Sequence, residues 1–174
     1  MLTGPTLYWL PPLPGTTGRL AISARPRGGD WLADEVAGWN KDNINVVTSM
    51  LTSDEELDLN LSCEADECKA QGIDFISMPI VDRSTPSDET AFAETASELA
   101  TRLIAGENIA IHCRQGIGRS AMLAAAILMT LGMNTDETIR MVSVARGLRT
   151  PETEAQTDWL RRFQPLSSLT TGLS

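Results

Sequence analysis

The sequence predicts an α/β fold: a single domain with a central, mainly parallel sheet of four to five strands flanked by helices. Short β-branched runs alternate with helical patterns along the chain, which is typical of such sheets. The 174 residues are 42% apolar and 21% charged, the composition of one packed domain. We divide the chain into an N-terminal arm rich in proline and glycine (1–18), a main domain (19–165) and a C-terminal tail (166–174).

In the first half of the main domain, apolar residues recur first at helical spacing and then in short continuous runs. The continuous runs are β-branched and short enough to be buried strands, and Gly72 ends the helix between them. The predicted elements are a helix bearing Leu32, Val36 and Trp39, a strand over 44–50, a short helix over 62–71 and a strand over 73–80.

The second half repeats the pattern and adds two helices. Thr85-Pro86 predicts a helix start, and Gly106 closes that helix. The helix that follows the next strand is apolar on almost every side, which predicts a buried position. The predicted elements are a helix from Thr85 to Gly106, a strand over 108–112, the buried helix over 118–131, and helices over 135–146 and 150–163.

Composition excludes several function classes. A net charge of −9 disfavours nucleic acid and anionic membrane as partners. One histidine and three cysteines cannot build a Cys2His2 zinc site, and we expect no metal and no other cofactor. We interpret Cys63 and Cys68 as reduced thiols and expect a monomer in the cytoplasm. The longest apolar run, 121–131, is too short to span a membrane.

The segment 109–120 predicts a phosphate-binding loop between a strand and a helix. Cys113 ends the strand, Arg119 lies where the helix begins, and Gly116 and Gly118 permit left-handed turns between them. Convergent backbone N–H groups and a helix N-terminus together bind an oxyanion. The predicted phosphate-binding residues are Arg114, Gln115, Gly116, Ile117, Gly118 and Arg119.

The charge pattern around this loop predicts a reactive cysteine. Residues 108–135 contain two arginines and no Asp or Glu, so a locally positive segment lies within an acidic chain. A cysteine beside an arginine and a helix N-terminus has a lowered thiol pKa and is a thiolate at neutral pH. Cys113 is therefore the predicted nucleophile.

The stretch HCRQGIGRS (112–120) resembles the signature of the cysteine-dependent protein phosphatases. PIVDRSTP (79–86) resembles the general-acid loop of their dual-specificity branch, and the order of elements over 44–163 is similar to the small kinase-associated dual-specificity phosphatases. The resemblance implies a dual-specificity phosphatase-like fold. It also implies that Cys113 is the nucleophile, Arg119 the phosphate clamp, Asp82 the general acid, and Ser120 the hydroxyl that eases departure of the thiolate.

We therefore expect a metal-independent phosphatase that hydrolyses phosphate monoesters on phosphoproteins, both phosphotyrosine and phosphoserine or phosphothreonine, through a cysteinyl-phosphate intermediate. The alternative substrate is a phosphoinositide or another small phosphomonoester, although the loop lacks the lysines of inositol-phosphate-directed relatives. Tyr8, the single tyrosine, leaves no obvious wall for a deep phosphotyrosine slot, which favours a shallow pocket. A rhodanese-like or arsenate-reducing thiol enzyme and a catalytically silent phosphate-binding module remain as further alternatives.

Four residues have a second interpretation. Asp82 could cap a turn instead of donating a proton. Arg114 could bind a second anionic group or remain solvated. Gln156 could position water or be an ordinary helix-face residue. His112 should leave its strand on the face opposite Cys113, which excludes a Cys-His dyad, and we expect it to make a buried hydrogen bond that shapes the loop.

Overall fold

The computed structural model describes residues 4–166. Its five strands are β1 (Leu7–Trp9), β2 (Leu20–Ser23), β3 (Val46–Ser49), β4 (Asp74–Ser77) and β5 (Ile109–His112). They form one sheet in the order β1-β2-β5-β3-β4, in which only the β1–β2 pair is antiparallel. The predicted α/β fold with a mainly parallel sheet is confirmed.

Seven α-helices cover both faces of the sheet: α1 (Leu32–Lys41), α2 (Ser53–Asp58), α3 (Glu64–Ala70), α4 (Glu89–Ile104), α5 (Arg119–Thr130), α6 (Thr135–Arg146) and α7 (Glu154–Arg162). Buried side chains of α1 and α3 form one hydrophobic cluster with β3 and β5, and those of α4 to α7 form the other cluster. All twelve residues of α5 are buried, as its uniformly apolar sequence predicts.

The helix starts differ from the predicted ones where a cap overrides a proline signal. α4 begins at Glu89 rather than at Thr85, because the Asp88 carboxylate accepts a hydrogen bond from the Ala91 N–H. α7 begins at Glu154 rather than at Thr150, because Thr153 and Gln156 form a capping box. The strands β3 and β4 are shorter than predicted, although hydrogen bonds from the Met78 and Ile80 N–H groups to the Ser49 and Met50 carbonyls continue beyond their ends.

The N-terminal segment differs from the predicted irregular arm. Leu7–Trp9 pairs with β2, and the Leu10 N–H donates to the Leu20 carbonyl at 2.9 Å. Leu10 and Leu13 are only 2% and 5% exposed and belong to the larger core cluster. The apolar content of the segment thus outweighs its prolines. Residues 1–3 and 167–174, the latter most of the predicted tail, lie outside the described residues.

The sheet register brings three loops together at the carboxyl edge of the strands. Ser23, Ser49 and His112 are aligned with one another as the last residues of β2, β3 and β5. The chain leaves these strands at Ala24, Met50 and Cys113, so the cysteine-bearing loop lies between its two neighbours. In open α/β sheets this edge is where ligands bind.

Because the N-terminal segment contributes to the core, we predict that Leu10→Ala lowers the free energy of unfolding by about 2–5 kcal/mol. Urea denaturation measured by circular dichroism checks this loss. Thr17→Ala, at an exposed position of the same segment, is the control and should change stability by less than about 0.5 kcal/mol. Equal stability of Leu10→Ala and wild type would show that the segment is not part of the core.

Candidate active site

The loop from Cys113 to Arg119 connects β5 with α5 and is shaped by two glycines. Gly116 has φ +70°, and a Cβ there would lie 2.5 Å from the Ser23 carbonyl oxygen, so only glycine fits. Gly118 has φ −99°, and the predicted left-handed turn at this residue is wrong. A Cβ there would lie 3.0 Å from the Gln156 Oε1, so a larger residue would require the Gln156 side chain to shift.

The Cys113 sulfur lies among hydrogen-bond donors that favour its anion. The Ser120 hydroxyl is 3.3 Å from Sγ, and the Gly116 N–H donates to Sγ at 3.3 Å. Burial raises the pKa of the Cys113 thiol, but hydrogen bonds from Ser120 and Gly116 and the charge of Arg119 outweigh burial and leave the pKa below its ordinary value. This is the predicted direction.

Arg119 is the first residue of α5, and its side chain is only 1% exposed. Its two Nη atoms donate to the two carboxylate oxygens of Glu55, at 2.7 and 3.0 Å. Nη1 also donates to the Ile80 carbonyl at 2.8 Å, and Nη2 donates to Asp82 Oδ1 at 3.0 Å. The guanidinium is thus fixed in one orientation at the junction of three loops.

Glu55 was not found by the sequence analysis. It is the third residue of α2, where its carboxylate accepts from the Thr52 N–H and completes a capping box with the Thr52 side chain. Burial raises the pKa of Glu55, but the hydrogen bonds and charge of Arg119 and the bond from Thr52 bring it below its ordinary value. The Thr-x-x-Glu pattern directly after a buried strand could have indicated this residue.

Asp82 lies in the loop that follows β4, at the opposite side of the same opening. Its side chain is half exposed, and Oδ1 accepts from Arg119 Nη2 and from the Arg83 N–H at 3.1 Å. The two aspartates nearest to Asp82 in the sequence, Asp74 and Asp88, do not reach the site. Asp74 pairs with Arg102, and Asp88 caps α4.

A cavity of about 50 Å³ opens between the two loops. Two of its lining residues, Asp82 and Glu152, come from other parts of the chain. The other six belong to the predicted loop: Cys113, Arg114, Gln115, Ile117, Gly118 and Arg119. Gly116 packs against Ser23 instead. The structure therefore gathers the predicted nucleophile, arginine and acid around one small opening.

His112 makes the buried hydrogen bond that the sequence analysis expects. Its Nε2 lies 2.7 Å from Glu64 Oε1, its ring stacks on Trp39 at 5.9 Å, and Nδ1 lies 3.3 Å from the Cys113 carbonyl oxygen. Burial lowers the pKa of His112, but the Glu64 carboxylate raises it more, so the net direction is upward. The pair connects α3 with the residue before Cys113.

Arg114 and Gln156 occupy different environments. Arg114 is 46% exposed at the rim, with its Nη1 3.8 Å from Glu55 Oε1. Gln156 is fully buried and is not an ordinary helix-face residue. Its Oε1 accepts from the Thr153 N–H, and its Nε2 donates to the Ser84 carbonyl at 3.0 Å in the Asp82 loop.

Arg146 is a second residue that the sequence analysis missed. From the last turn of α6, its Nε donates to the Gly116 carbonyl at 2.9 Å and its Nη2 donates to the Gln115 carbonyl at 3.1 Å. Tyr8 of β1 stacks on the guanidinium at 4.0 Å. By holding carbonyl groups on the outside of the loop, Arg146 favours N–H groups on its inside. A basic residue at a helix C-terminus is ordinary, so the sequence offers no signal for this contact.

Residues 4–166 contain no cluster of three or more His, Cys, Asp or Glu side chains suited to a metal ion. Over the same residues no helix is long and apolar enough to cross a membrane.

Comparison with known proteins agrees with this fold. Kinase associated phosphatase (KAP), solved with its catalytic-site cysteine replaced by serine, has a TM-score of 0.80 and 22% identity over 92% of this chain and 94% of that chain. Tk-PTP in its active form has a TM-score of 0.68 and 27% identity, over 86% of this chain and 96% of that chain. PTPMT1 in complex with PI(5)P has a TM-score of 0.69 and 21% identity, over 89% of this chain and 94% of that chain. These likenesses show a shared fold. Among curated proteins, none matches the chain.

The family model "Dual specificity phosphatase, catalytic domain" matches residues 40–165, well over half of the chain. The matched range includes the cysteine loop and the Asp82 loop, and begins after β1 and β2. The chain therefore belongs to the dual specificity phosphatase family and is a cysteine-based phosphatase.

Proposed function

We propose that the protein hydrolyses phosphate monoesters of phosphoproteins, on tyrosine and on serine or threonine, by way of a phosphorylated Cys113. The observation that carries this proposal is the Cys113 sulfur beside Ser120 Oγ and the Gly116 N–H, in a cavity that Arg119 and Asp82 also line. We also propose that residues 19–165, together with the N-terminal segment that pairs with β2, form a single catalytic unit, and that the protein is a monomer in a reducing cytoplasmic location. The free Cys113 thiol favours that location.

In the first step the Cys113 thiolate attacks phosphorus. The S–P bond forms as the bond from phosphorus to the ester oxygen breaks, and the ester oxygen takes a proton from Asp82 to leave as an alcohol or phenol. The loop N–H groups and Arg119 stabilise charge on the three equatorial oxygens. A proton donor is needed because an unprotonated alkoxide is a poor leaving group.

In the second step water attacks the cysteinyl phosphate. Its proton goes to the Asp82 carboxylate, the new P–O bond forms, and the S–P bond breaks to return the thiolate and inorganic phosphate. The Ser120 hydroxyl, 3.3 Å from the sulfur, donates to the departing thiolate. Gln156 Nε2 donates to the Ser84 carbonyl in the Asp82 loop, which supports a role for Gln156 in holding that loop rather than in positioning water.

Arg119 and Asp82 are expected to exchange partners during binding. Asp82 and Glu55 both accept from the guanidinium, Glu55 with both oxygens and Asp82 with one. A phosphate dianion competes better for Nη2 than a half-exposed carboxylate does, since it carries twice the charge. Phosphate binding would thus release Asp82 from Arg119. The freed carboxylate takes up a proton from solvent before it donates to the leaving group, while Glu55 keeps the guanidinium oriented.

We predict that the wild-type protein hydrolyses 4-nitrophenyl phosphate in the presence of EDTA and that Cys113→Ser abolishes this turnover. Asp82→Asn should lower kcat/KM by about 10²–10⁴-fold, the ordinary contribution of a general acid. Rapid acid quench with a ³²P-labelled phosphopeptide should trap a labelled protein in wild type only. Hydrolysis that survives Cys113→Ser, or stops in EDTA, would contradict the mechanism.

Assays of the wild-type protein on different substrates distinguish the phosphoprotein proposal from the phosphoinositide alternative. A panel of phosphotyrosine peptides, phosphoserine and phosphothreonine peptides and phosphoinositide vesicles is compared by kcat/KM. We expect the peptides to be preferred, because the loop carries only one exposed arginine, Arg114, to bind a second phosphate group. A preference for the vesicles would favour the phosphoinositide alternative.

We predict that Ser120→Ala raises the pKa of Cys113. Loss of a hydrogen bond to a charged group costs about 1.5–3 kcal/mol, so the midpoint of the pH curve for alkylation by iodoacetate should move up by about one pH unit or more. The cysteinyl phosphate should also accumulate, because the thiolate leaves more slowly. Thr130→Ala, at the far end of α5, is the control. An unchanged alkylation curve would exclude Ser120 as a stabiliser of the thiolate.

We predict that Arg146→Ala weakens oxyanion binding. Removing two charge-assisted bonds to the loop carbonyls should cost about 1.5–3 kcal/mol of loop organisation, which corresponds to roughly tenfold or more in the inhibition constant of tungstate. Arg140→Ala, at an exposed position on the same helix, is the matched control. Tungstate inhibition that is equal in the two variants would show that the contact does not organise the loop.

A further inference from the structure

An ion pair joins the Asp82 loop to the segment before α7. Arg83 Nη1 donates to Glu152 Oε1 at 2.6 Å, and the two residues are 69 positions apart in the chain. Arg83 follows the proposed general acid directly, and Glu152 lines the phosphate cavity. The pair therefore ties the Asp82 loop to a wall of the cavity that contains Cys113.

The backbone at Arg83 is held in an unfavourable conformation. Its φ is +60°, in the left-handed region, which is sterically unfavourable for residues other than glycine. In this conformation the Arg83 N–H donates to Asp82 Oδ1 at 3.1 Å. A glycine would avoid the cost but would lack the side chain that reaches Glu152. The strain thus coincides with a side-chain contact that orients the loop.

A second contact fixes the same loop from the same side. Gln156 Nε2 donates to the Ser84 carbonyl at 3.0 Å, and Gln156 is fully buried at the start of α7. Arg119 holds the preceding residues by donating to the Ile80 carbonyl. Asp82 consequently lies between anchored residues on either side, although its own side chain is half exposed.

Charge gives Arg83 a further effect. Glu152 is an acidic residue at the wall of a cavity that binds a dianion, and an unpaired carboxylate there would repel the substrate. Arg83 neutralises it. The pair is 62% and 31% exposed, so its contribution to the stability of the whole protein is small. Its effect should appear in the position of the loop and not in global unfolding.

We propose that Arg83 and Glu152 are positioning residues that latch the general-acid loop over the phosphate cavity. The inference rests on the proposed function of Asp82, because the latch matters for catalysis only where the loop must deliver a proton. Misplacement of a catalytic group by about 1 Å can cost up to about 10²-fold in rate. Breaking the latch should therefore slow reactions in proportion to their need for the proton.

The test compares two substrates that differ in leaving group. Phenyl phosphate needs protonation of its leaving oxygen more than 4-nitrophenyl phosphate does. We expect Glu152→Gln, which breaks the pair without leaving an unpaired carboxylate in the cavity, to lower kcat/KM for phenyl phosphate about tenfold and for 4-nitrophenyl phosphate less than about threefold. Arg83→Gln should show the same difference between the substrates, added to a loss common to both because Glu152 is left unpaired. The charge-swapped double variant Arg83→Glu/Glu152→Arg should recover most of the loss. Glu154→Gln, an exposed acid two residues further on, is the matched control.

Hydrogen exchange supplies a readout that does not depend on activity. Amides of residues 81–85 should exchange faster in Glu152→Gln than in wild type, with α5 unchanged and the melting temperature within about 2 °C. Equal exchange in the two proteins, equal losses for both substrates, or failure of the charge swap would each overturn the latch. A wild-type protein that hydrolyses neither substrate would refute the proposed function, and the exchange result would then decide the latch alone.

Discussion

The buried Arg119 guanidinium is the group on which the rest of the site depends. A charged side chain that is 1% exposed must be paired, because an unpaired buried charge is far more costly than a lost hydrogen bond. The pairing is supplied by Glu55 after β3, by the Ile80 carbonyl and Asp82 after β4, and the arginine itself begins α5. One cation thus fixes the relative positions of three segments. The electrostatic requirement of a phosphate site and the stability of the fold are met by the same contacts.

The sequence predicts the elements that are locally determined and misses those determined by distant partners. The loop from Cys113 to Arg119 is recognisable because its strand, glycines and helix start are consecutive. β1 was missed because its proline-rich surroundings favour an irregular chain, and it becomes a strand only through pairing with β2. Glu55, Arg146 and Glu152 reach the site from 58, 33 and 39 positions away from Cys113 in the chain. The sequence around each of these residues indicates a helix cap or an ordinary helix residue. It does not indicate which distant residue the side chain contacts.

The acidic composition of the chain and its anionic substrate are compatible because the acids at the site are already occupied. Glu55 is bound by Arg119, and Glu152 is bound by Arg83. In each pair the arginine neutralises the carboxylate. The remaining N–H donors of the site, including the loop amides, are then left to bind the phosphate. The absence of Asp and Glu from 108–135 in the sequence predicted a positive segment, but the folded site is more nearly balanced than that segment suggests. Its attraction for phosphate therefore depends on oriented N–H groups more than on net charge.

The near balance of positive and negative charge in the site affects the proposed order of phosphate binding and Asp82 release. In a site with excess positive charge, phosphate would bind without disturbing Asp82, and the acid would have to reach the leaving group by an independent movement. In the observed network Asp82 accepts from Arg119 Nη2, so under the proposed function phosphate competes with it for that nitrogen, which would link binding to release of the acid. Arg83 and Gln156 hold the residues that flank Asp82. Occupation of the cavity and positioning of the proton donor are then two consequences of one exchange of hydrogen bonds.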